Sequence, residues 1–573
     1  MSSILKLPKP AAPRFAATEA FAALGEASFA AFEAVRAPGT VLWVNFDLAR
    51  ELGFDVPPSR QLTPALQEQL LGKLSLRSVT SGDDVSSEET VTMYADRYGG
   101  DGVSPALGAG RAGFLRDANL YVKGIGFTPL FKHNDKDDFV HSHGGVHLED
   151  CMSEAIFGEV DHNLFELGAS RIVAIIDQGR FVTEPSGRCR HIALAARTGT
   201  QLRPGHLLAK RVRGSRSPVE MLVEITRATK QLVMPVGTDI PDLSATMLRI
   251  IDDHARTAAD SFRWRMIHGA LSPSNMDVSG AMLDLPTQST QPRTAPIFKL
   301  DYVQSTFGTE HKERGFYLAE MYRRVLRTTD AVMRERFNLR WINVSNEMDR
   351  AYSKHLQVKL LAATGLRTEV ARQVQEMSAV AARFTEVLLA MAALKNPGSA
   401  CVARKVVDLS VVDVFNVLSN LPHDYFAKQN LKEAVTKHAQ PVYKGNRFHV
   451  SAKKRKVQQL AAEFASIYGQ LMDVAENYYA NRTEMESSIR ARAAFENQPL
   501  DALYCHPLYE DLNRGISEYK ATGNAQIISD AIDKRIAQSL RSVDGLLSRG
   551  TPTQKQLGAI VDRGHYFTGV RNR

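Results

Sequence analysis

The spacing of apolar residues changes near residue 240, and this change limits the folds that the chain can adopt. Before it, short apolar runs such as RIVAIIDQG and HIALAART, separated by glycines and turn residues, predict strands. After it, one long amphipathic segment and nearly every segment from Glu310 onward repeat apolar residues with a helical period. We therefore predict an α+β protein in which a β-rich part precedes a largely helical part.

Three shorter patterns lie within the β-rich part. The apolar runs Arg111–Leu115 and Leu120–Lys123 flank the turn sequence RDAN, which predicts a β-hairpin. The segment LEDCMSEAIFGEV has the period of a helix. An Ala- and Phe-rich segment around Thr18–Val35 predicts a further helix near the N-terminus.

The net charge of the chain limits the classes of ligand that it is expected to bind. The formal net charge of +8 suits an anionic small ligand such as a nucleotide as well as it suits a nucleic acid. The densest basic run, Lys453–Lys456, has no interleaved aromatic residues, so we interpret it as a solvated helix face and predict no nucleic-acid partner. A nucleic-acid binder that uses this run is the alternative from a different functional class.

Cysteine usage and hydropathy predict the compartment. The four cysteines form no CxxC pair, which is typical of a reduced, intracellular protein. The N-terminal segment has no apolar core of secretory length. No apolar run approaches the roughly 18–20 residues that a membrane-spanning helix needs. We therefore expect a cytoplasmic protein without a membrane span.

The segment HGALSPSNMDVSGAMLDL, from His268 to Leu285, resembles the catalytic loop of kinase-like phosphotransferases. Asn275 offers a neutral oxygen and Asp284 an anionic one, and Mg²⁺ accepts both, so we predict them as catalytic residues that bind Mg²⁺ or Mn²⁺. Ala270 stands where such a loop has a proton-accepting aspartate. The loop therefore predicts a metal and nucleotide site that lacks the usual base.

Glycine-rich turns provide candidates for phosphate binding, because glycine lets the backbone approach oxygen atoms closely. We predict that Gly108, Gly110 and Arg111 in GAGRA, and Gly124 in YVKGIG, bind the nucleotide. An ordinary glycine-rich loop is the alternative interpretation.

Charged residues complete the predicted site. Lys123 ends a predicted strand and is predicted to bind phosphate as a catalytic residue. Arg197 and Arg203 follow another predicted strand and offer planar guanidinium groups to phosphate; an exposed surface pair is the alternative. The acid that holds Lys123 would be Glu149 on the LEDCMSEAIF helix, with Glu154 as the alternative.

A histidine-rich segment precedes this helix. It contains His133, His141, His143, His147 and Cys151, and the last two have the spacing of zinc ligands on a helix. No CxxC pair accompanies them. We interpret the segment as a mobile polar loop over the nucleotide rather than as a metal site.

The order of these parts is the layout of a two-lobed protein-kinase-like fold with a β-rich N-lobe and a helical C-lobe, although many α+β proteins share it. This layout predicts an N-terminal segment that packs on the N-lobe (1–90), a kinase-like N-lobe (91–240), a C-lobe with the catalytic loop (241–335) and a helical C-terminal region (336–573). The last of these is a large helical extension of the fold.

Taken together, the motifs resemble the SelO/YdiU family of kinase-like proteins over about residues 40–285. LGAGRA, VKGIGFTP, LEDCMSEA and HGALSPSNMDVSGAMLD follow one another in the family's order, and the nine-residue step from Asn275 to Asp284 is kept. The segment TVLWVNFDLARELGFD adds further matching residues: Trp43, Asn45, Leu48, Ala49, Leu52 and Gly53.

This resemblance implies a nucleotidyltransferase that uses ATP with Mg²⁺ or Mn²⁺. Its acceptor would be a protein or a peptide. In the family the nucleotide lies reversed in the cleft, so AMP rather than phosphate is transferred to protein hydroxyls. The resemblance also assigns the nucleotide lysine to Lys123 and selects Glu149 over Glu154 as its partner.

The sequence departs from the family at positions that bear on proton transfer. Ala109 replaces an aspartate in the glycine motif, and Ser274 replaces the aspartate that precedes the metal-binding Asn275. The loss at Ser274 removes the family's proton acceptor. Asp277 is the candidate that would replace it.

A looser resemblance to microcin-maturation proteins implies a different acceptor. Such an enzyme would activate a peptide carboxylate with ATP, and a carboxylate, whose pKa lies near ~4, is already ionised at neutral pH and needs no base. A partner subunit would fit this alternative. The third alternative is a catalytically inactive pseudokinase scaffold.

Overall fold

A computed structural model of the chain describes residues 22–548 except for 80–89, 101–106, 132–142, 199–200, 229–241, 292–297, 301–302, 306, 332–333, 335–339, 397–400, 403–404, 407–409 and 499. The α+β class is confirmed, since an antiparallel sheet in the first 200 residues is followed by many helices. Within the described residues, no helix combines the length and the apolar character that crossing a bilayer requires.

Nine strands form one sheet in the order β2-β8-β9-β6-β5-β4-β1-β3, and β7 pairs with β9. Every pairing in it is antiparallel, and the predicted hairpin is confirmed, with Leu115 opposite Leu120. The strands are β1 (Phe29–Arg36), β2 (Thr40–Val44), β3 (Leu76–Ser78), β4 (Thr90–Asp96), β5 (Ala112–Leu115), β6 (Leu120–Lys123), β7 (Val146–His147), β8 (Ile172–Thr183) and β9 (Cys189–Arg197).

Of the predicted helix around Thr18–Val35, residues 22–24 are helical, but Phe29–Arg36 is strand β1, so the prediction is wrong over its second half. Alanine favours helices only weakly, and tertiary pairing overrides that preference here. β1 pairs with β4 from Phe29 to Val35 and with β3 from Ala34 to Arg36, so both of its edges are hydrogen-bonded.

Five helices lie among or directly after these strands: α1 (Phe46–Glu51), α2 (Pro64–Leu74), α3 (Leu148–Leu164), α4 (Pro204–Leu208) and α5 (Pro218–Ala228). The predicted LEDCMSEAIFGEV helix is confirmed as α3. α3 contacts β8 and β9 and also the last two helices of the chain. Ile156 and Phe157 of α3 belong to the same buried cluster as Leu508 and Ile528 from those helices.

The remainder is mainly helical, as predicted. Its helices are α6 (Leu243–Arg263), α7 (Glu310–Arg327), α8 (Val344–Ala363), α9 (Thr368–Met377), α10 (Ala379–Ala392), α11 (Val414–Phe426), α12 (Leu431–His438), α13 (Arg447–Glu476), α14 (Arg482–Glu496), α15 (Cys505–Thr522) and α16 (Gln526–Ser548). Its short strands are β10 (Met266–Ile267), β11 (Ser289–Thr290), β12 (Phe298–Leu300), β13 (Val303–Ser305), β14 (Cys401–Val402) and β15 (Lys405–Val406). The basic run Lys453–Lys456 lies on α13, where Lys453 Nζ donates to Asn396 Oδ1 at 3.1 Å.

Candidate functional site

A buried cluster of two cations and two anions lies where β6, β9, α3 and the segment after Leu283 meet. Lys123 Nζ is 3.3 Å from Glu154 Oε2 and 2.5 Å from Asp284 Oδ1. Arg197 Nη1 is 2.7 Å from Glu154 Oε1 and 3.5 Å from Asp284 Oδ1. We call Lys123, Glu154, Arg197 and Asp284 the charge cluster. Each of its cations contacts both of its anions.

Strand geometry explains why the two cations are neighbours. β6 and β9 are antiparallel, with Lys123 opposite Ala195 and Tyr121 opposite Arg197. Residues two apart on a strand face the same side of the sheet. Lys123 and Arg197 therefore project from one face in diagonal positions, and long side chains in such positions reach each other's partners.

The acidic partner of Lys123 is Glu154, so the selection of Glu149 is wrong. Glu149 instead forms an ion pair with Arg190 of β9, and burial, reinforced by the charge of Asp150, raises the pKa of Glu149. The two glutamates are five positions apart in the sequence, which turns them about 140° apart around a helix of 3.6 residues per turn. Only Glu154 is therefore on the face of α3 that meets Lys123.

Asp284 is the most accessible member of the charge cluster, with 24% of its side chain exposed. Its φ of 62° lies in the left-handed region, which is uncommon for a residue with a side chain. Burial raises its pKa, but the charges of Lys123, Arg197 and Arg203 outweigh burial and hold the pKa of Asp284 well below its ordinary value. Asp284 is therefore an ionised carboxylate at the edge of the cluster.

A hairpin brings Asn275 to the same place. Met276 and Met282 form an antiparallel bridge, and Met282 forms a second, parallel bridge with Ala169. Residues before 276 and after 282 thus lie at the open end of the hairpin, so Asn275 and Asp284 leave it side by side. Asn275 Nδ2 donates to the Ala270 carbonyl at 2.9 Å, so the amide oxygen is the atom that could bind the predicted metal ion.

His268 holds the backbone next to Asp284. Its Nε2 is 2.8 Å from the Leu283 carbonyl, and its backbone N–H donates to Glu310 Oε1 at 2.6 Å. Burial lowers the pKa of His268, which favours a neutral ring that donates through Nε2. The His-Gly pattern identified this loop in the sequence, but no local signal there indicated the contact with Leu283.

Arg203 adds a third cation beside the charge cluster. Its Nη1 donates to the Ser274 carbonyl, its Nη2 donates to Gln201 Oε1 at 3.0 Å, and its guanidinium lies 4.2 Å from the centre of the Tyr98 ring. The alternative of an exposed arginine pair is wrong, because Arg197 is 3% and Arg203 is 2% exposed. The Nε atoms of both are buried without a hydrogen-bond partner among the described residues.

The predicted phosphate-binding glycines are packed against backbone. A Cβ atom at Gly108 would overlap the Asp96 carbonyl oxygen, and one at Gly124 would overlap the Ala193 carbonyl oxygen. A Cβ atom at Gly110 would lie 3.3 Å from another Cα atom. Close packing therefore accounts for these glycines, and their binding to phosphate stays a prediction.

Gly124→Ala is expected to lower the free energy of unfolding by about 3 kcal/mol, because it combines backbone strain with overpacking. Gly124 has a φ of +96° and lies against Ala193, whereas Gly187 has a φ of +82° and nothing within 4 Å of a Cβ atom. Gly187→Ala is therefore the matched control and should cost only about 1 kcal/mol. Urea denaturation measures both, and equal losses would contradict the packing argument.

Arg111 joins two of the glycine turns. Its Nη1 donates to the Gly145 carbonyl at 2.8 Å, and its own carbonyl accepts from Gly124 N at 2.8 Å. Gly126 N in turn donates to the Gly144 carbonyl at 3.0 Å. These bonds hold the turns after β6 and before β7 together, and nucleotide binding by Arg111 stays a prediction.

The histidine-rich segment gives no sign of a metal centre where the structure describes it. The rings of His143 and His147 stack with centres 5.2 Å apart, and Cys151 is buried. Among the described residues no three His, Cys, Asp or Glu side chains form a group that could hold a metal ion. His133 and His141 lie outside the described residues.

The loop has no obvious proton acceptor at the position of the family's aspartate. Ser274 Oγ is buried and has no hydrogen-bond partner among the described residues. Asp277 lies in the closed end of the hairpin, where its Oδ1 accepts from Ser279 N at 2.9 Å and Ser279 Oγ at 2.6 Å. The geometry therefore favours a turn-forming role for Asp277 over the role of a replacement base.

Comparisons with known proteins find relatives that share one name. The chain is 26% identical over 208 residues to a protein from Shewanella pealeana named protein nucleotidyltransferase YdiU, which covers 34% of this chain and 40% of that protein. It is 25% identical over 237 residues to the protein of the same name from Shewanella halifaxensis, which covers 39% of this chain and 44% of that protein. No family model matches the chain.

The chain thus spans less than half of the length of these relatives. At about 25% identity, a likeness of this extent supports a resemblance to that family, and the activity of the whole protein has to be determined by experiment. The resemblance to the SelO/YdiU family of protein nucleotidyltransferases is confirmed over roughly 40% of the chain.

Proposed function

We propose that the chain is a nucleotidyltransferase of two-lobed, protein-kinase-like fold that uses ATP with Mg²⁺ or Mn²⁺ and transfers AMP to a protein or peptide acceptor. The observation that carries the proposal is the charge cluster. It joins a strand lysine, a helix glutamate and the aspartate that follows a catalytic-loop segment, the combination that phosphoryl-transfer sites use to bind a nucleotide.

The residues present fit a polyphosphate. Lys123, Arg197 and Arg203 carry three positive charges, whereas Glu154 and Asp284 carry two negative ones, so the group has a net charge of about +1 and favours an anion. The buried Nε atoms of the two arginines have no hydrogen-bond partner among the described residues. A guanidinium with unused donors binds phosphate oxygens well, because its donors form a planar fork.

The open end of the hairpin fits a hard divalent cation. Asn275 offers a neutral amide oxygen and Asp284 a partly exposed carboxylate, and Mg²⁺ is held by few protein oxygens together with water and phosphate. Bound Mg²⁺ would neutralise charge on the phosphates and polarise them toward attack. Asp284 would then be shared between the cation and Lys123, and the lysine would be more available to bind phosphate.

AMP transfer requires an attack on the α-phosphorus. The acceptor oxygen forms a bond to that atom, the bond from it to the oxygen bridging to the β-phosphate breaks, and pyrophosphate leaves. Ordinary phosphorylation instead breaks the bond to the γ-phosphorus and releases ADP. Which phosphate faces the acceptor depends on the direction of the nucleotide in the cleft. The resemblance to the SelO/YdiU family implies the reversed direction, and the relatives' name, nucleotidyltransferase, agrees with transfer of a nucleotide.

Labelled ATP distinguishes the two outcomes. We expect α-labelled ATP to label an acceptor protein or peptide, γ-labelled ATP to leave it unlabelled, and pyrophosphate to form in equal amount. Label from the γ-position alone would replace adenylylation with phosphorylation. No label from either position, with ATP bound and a range of proteins and peptides offered, would favour the pseudokinase scaffold.

A peptide carboxylate is the second candidate acceptor, and the chemistry at Ser274 and Asp277 favours it. A hydroxyl acceptor must lose a proton during transfer. Ser274 has no carboxylate to accept this proton, and the Asp277 carboxylate is hydrogen-bonded to Ser279. A carboxylate acceptor carries no proton at neutral pH. Its adenylate would be cleaved by hydroxylamine, whereas an adenylylated hydroxyl would resist it.

A further inference from the structure

Tyr509 on α15 contacts two of the chain segments that carry residues of the charge cluster. Its hydroxyl donates to the Pro286 carbonyl at 2.6 Å and lies 3.2 Å from Asp150 Oδ1. Pro286 is two residues after Asp284, and Asp150 is on α3. We propose that Tyr509 is a positioning residue that fixes the distance between α3 and the Asp284 segment, an inference that rests on the proposed function for its effect on turnover.

The contacts close a ring through the candidate site. Asp150 and Glu154 are four residues apart on α3 and therefore share one face of the helix. Glu154 and Asp284 both contact Lys123, and the chain leads from Asp284 to Pro286. Tyr509 completes the ring, so a shift of α3 relative to the Asp284 segment must lengthen its hydrogen bond to Pro286 or its contact with Asp150.

Docking of α15 does not depend on this hydroxyl alone. Cys505 N donates to Ser289 Oγ at 3.0 Å, and Thr290 Oγ1 donates to the Leu500 carbonyl at 2.9 Å. Leu508 and Leu512 of the same helix are buried with the core of α3. Removing only the hydroxyl should therefore leave α15 in place while it loosens the ring.

Loss of the Tyr509 hydroxyl should change the position of Lys123 relative to its two carboxylate partners. Two carboxylates hold the lysine in one position for phosphate binding, and this requires both to remain within contact distance. Small displacements of groups that are aligned for a reaction reduce its rate strongly. Without the hydroxyl, conformations in which α3 or the Asp284 segment has moved away become more populated. Because Tyr509 acts through α3 and the Asp284 segment, its loss should lower kcat more than it weakens ATP binding.

The same helix offers a matched control. Tyr519 is also on α15, and its hydroxyl donates to Asp177 Oδ2 of β8 at 2.7 Å. Tyr519→Phe therefore removes the same group from the same helix, while Asp177 keeps the backbone N–H of Gly179 as a donor. It lies outside the ring and should not disturb the charge cluster.

The experiment compares wild type, Tyr509→Phe and Tyr519→Phe in the full chain by two measurements. In the labelled-ATP assay, Tyr509→Phe should lower kcat about fivefold with the KM for ATP within about twofold, and Tyr519→Phe should change neither. In hydrogen–deuterium exchange, Tyr509→Phe should speed exchange in residues 148–164 and 284–290, while Tyr519→Phe leaves these segments unchanged.

The second measurement separates the two hypotheses. If wild type transfers no label, the proposed function fails, and faster exchange confined to Tyr509→Phe still supports the positioning role. If the two variants change kcat and exchange alike, or if Tyr509→Phe changes neither, the positioning role is overturned whatever the activity of the wild type.

Discussion

Asp284→Asn is expected to reduce nucleotide transfer at least about 100-fold, the scale on which removal of one electrostatic group from a preorganised site acts. The substitution keeps the size of the side chain and removes the charge that would bind the divalent cation. It also leaves Lys123 and Arg197 with only one buried anion, Glu154. Transfer of α-labelled AMP measures the loss, and the affinity for Mg²⁺ in the presence of ATP should fall with it.

Acid stability gives an independent readout for this variant. The pKa of Asp284 is lower in the folded protein than its ordinary value, so its ionised form stabilises the fold above about pH 4. That contribution is lost as the pH falls through the folded pKa. Asp284→Asn removes it, so the variant should lose less stability than wild type as the pH falls below about 4.

Asp277→Asn is the control from the same hairpin. Asp277 lies at the closed end, where its side chain bonds to Ser279, so the variant should keep most of the transfer activity although it weakens the turn. Abolished transfer in Asp277→Asn with ATP binding intact would restore Asp277 as the base. Full activity in Asp284→Asn would discard the proposed metal site.

Much of the sheet and site could be predicted because the signals were local. The hairpin around RDAN and helix α3 each follow from the pattern of one short segment. Strand β1 could not be predicted in this way. Its alanines favour a helix, but β1 pairs with β3 and β4, which are distant in sequence, and this pairing determines its conformation. Short sequence patterns also identified four of the site residues, each from its own segment: Lys123, Arg197, Asn275 and Asp284.

Contacts between distant segments account for what the sequence did not indicate. Glu149 and Glu154 stand on the same helix, and only the rotation of α3 against β6 and β9 decides which of them meets Lys123. Tyr509 is more than 200 residues from Pro286 in sequence, and their hydrogen bond depends on how α15 packs. A family motif transfers residue identities along the chain, but the rotation of one element against another depends on packing.

Glu154→Gln is expected to lower nucleotide transfer about 30- to 100-fold and to weaken ATP binding, whereas Glu149→Gln should leave both within about threefold. Glu154 forms buried ion pairs with both Lys123 and Arg197. Removing one partner of a buried ion pair typically lowers the free energy of unfolding by about 3–5 kcal/mol. When a cation occupies Asp284, Glu154 becomes the acid that keeps Lys123 in place. Initial rates and equilibrium binding of ATP measure the two effects.

The two glutamates form a matched pair, because both are buried on α3 and each is ion-paired to an arginine of β9. General loss of stability should therefore be similar in the two variants. A double-mutant cycle with Lys123→Met separates specific coupling from this background. Glu154→Gln and Lys123→Met should be strongly non-additive in ATP affinity, because each breaks the same contact, and Glu149→Gln and Lys123→Met should be additive. The reverse pattern would show that α3 rotates in solution so that Glu149 meets the lysine, as the family motif predicts.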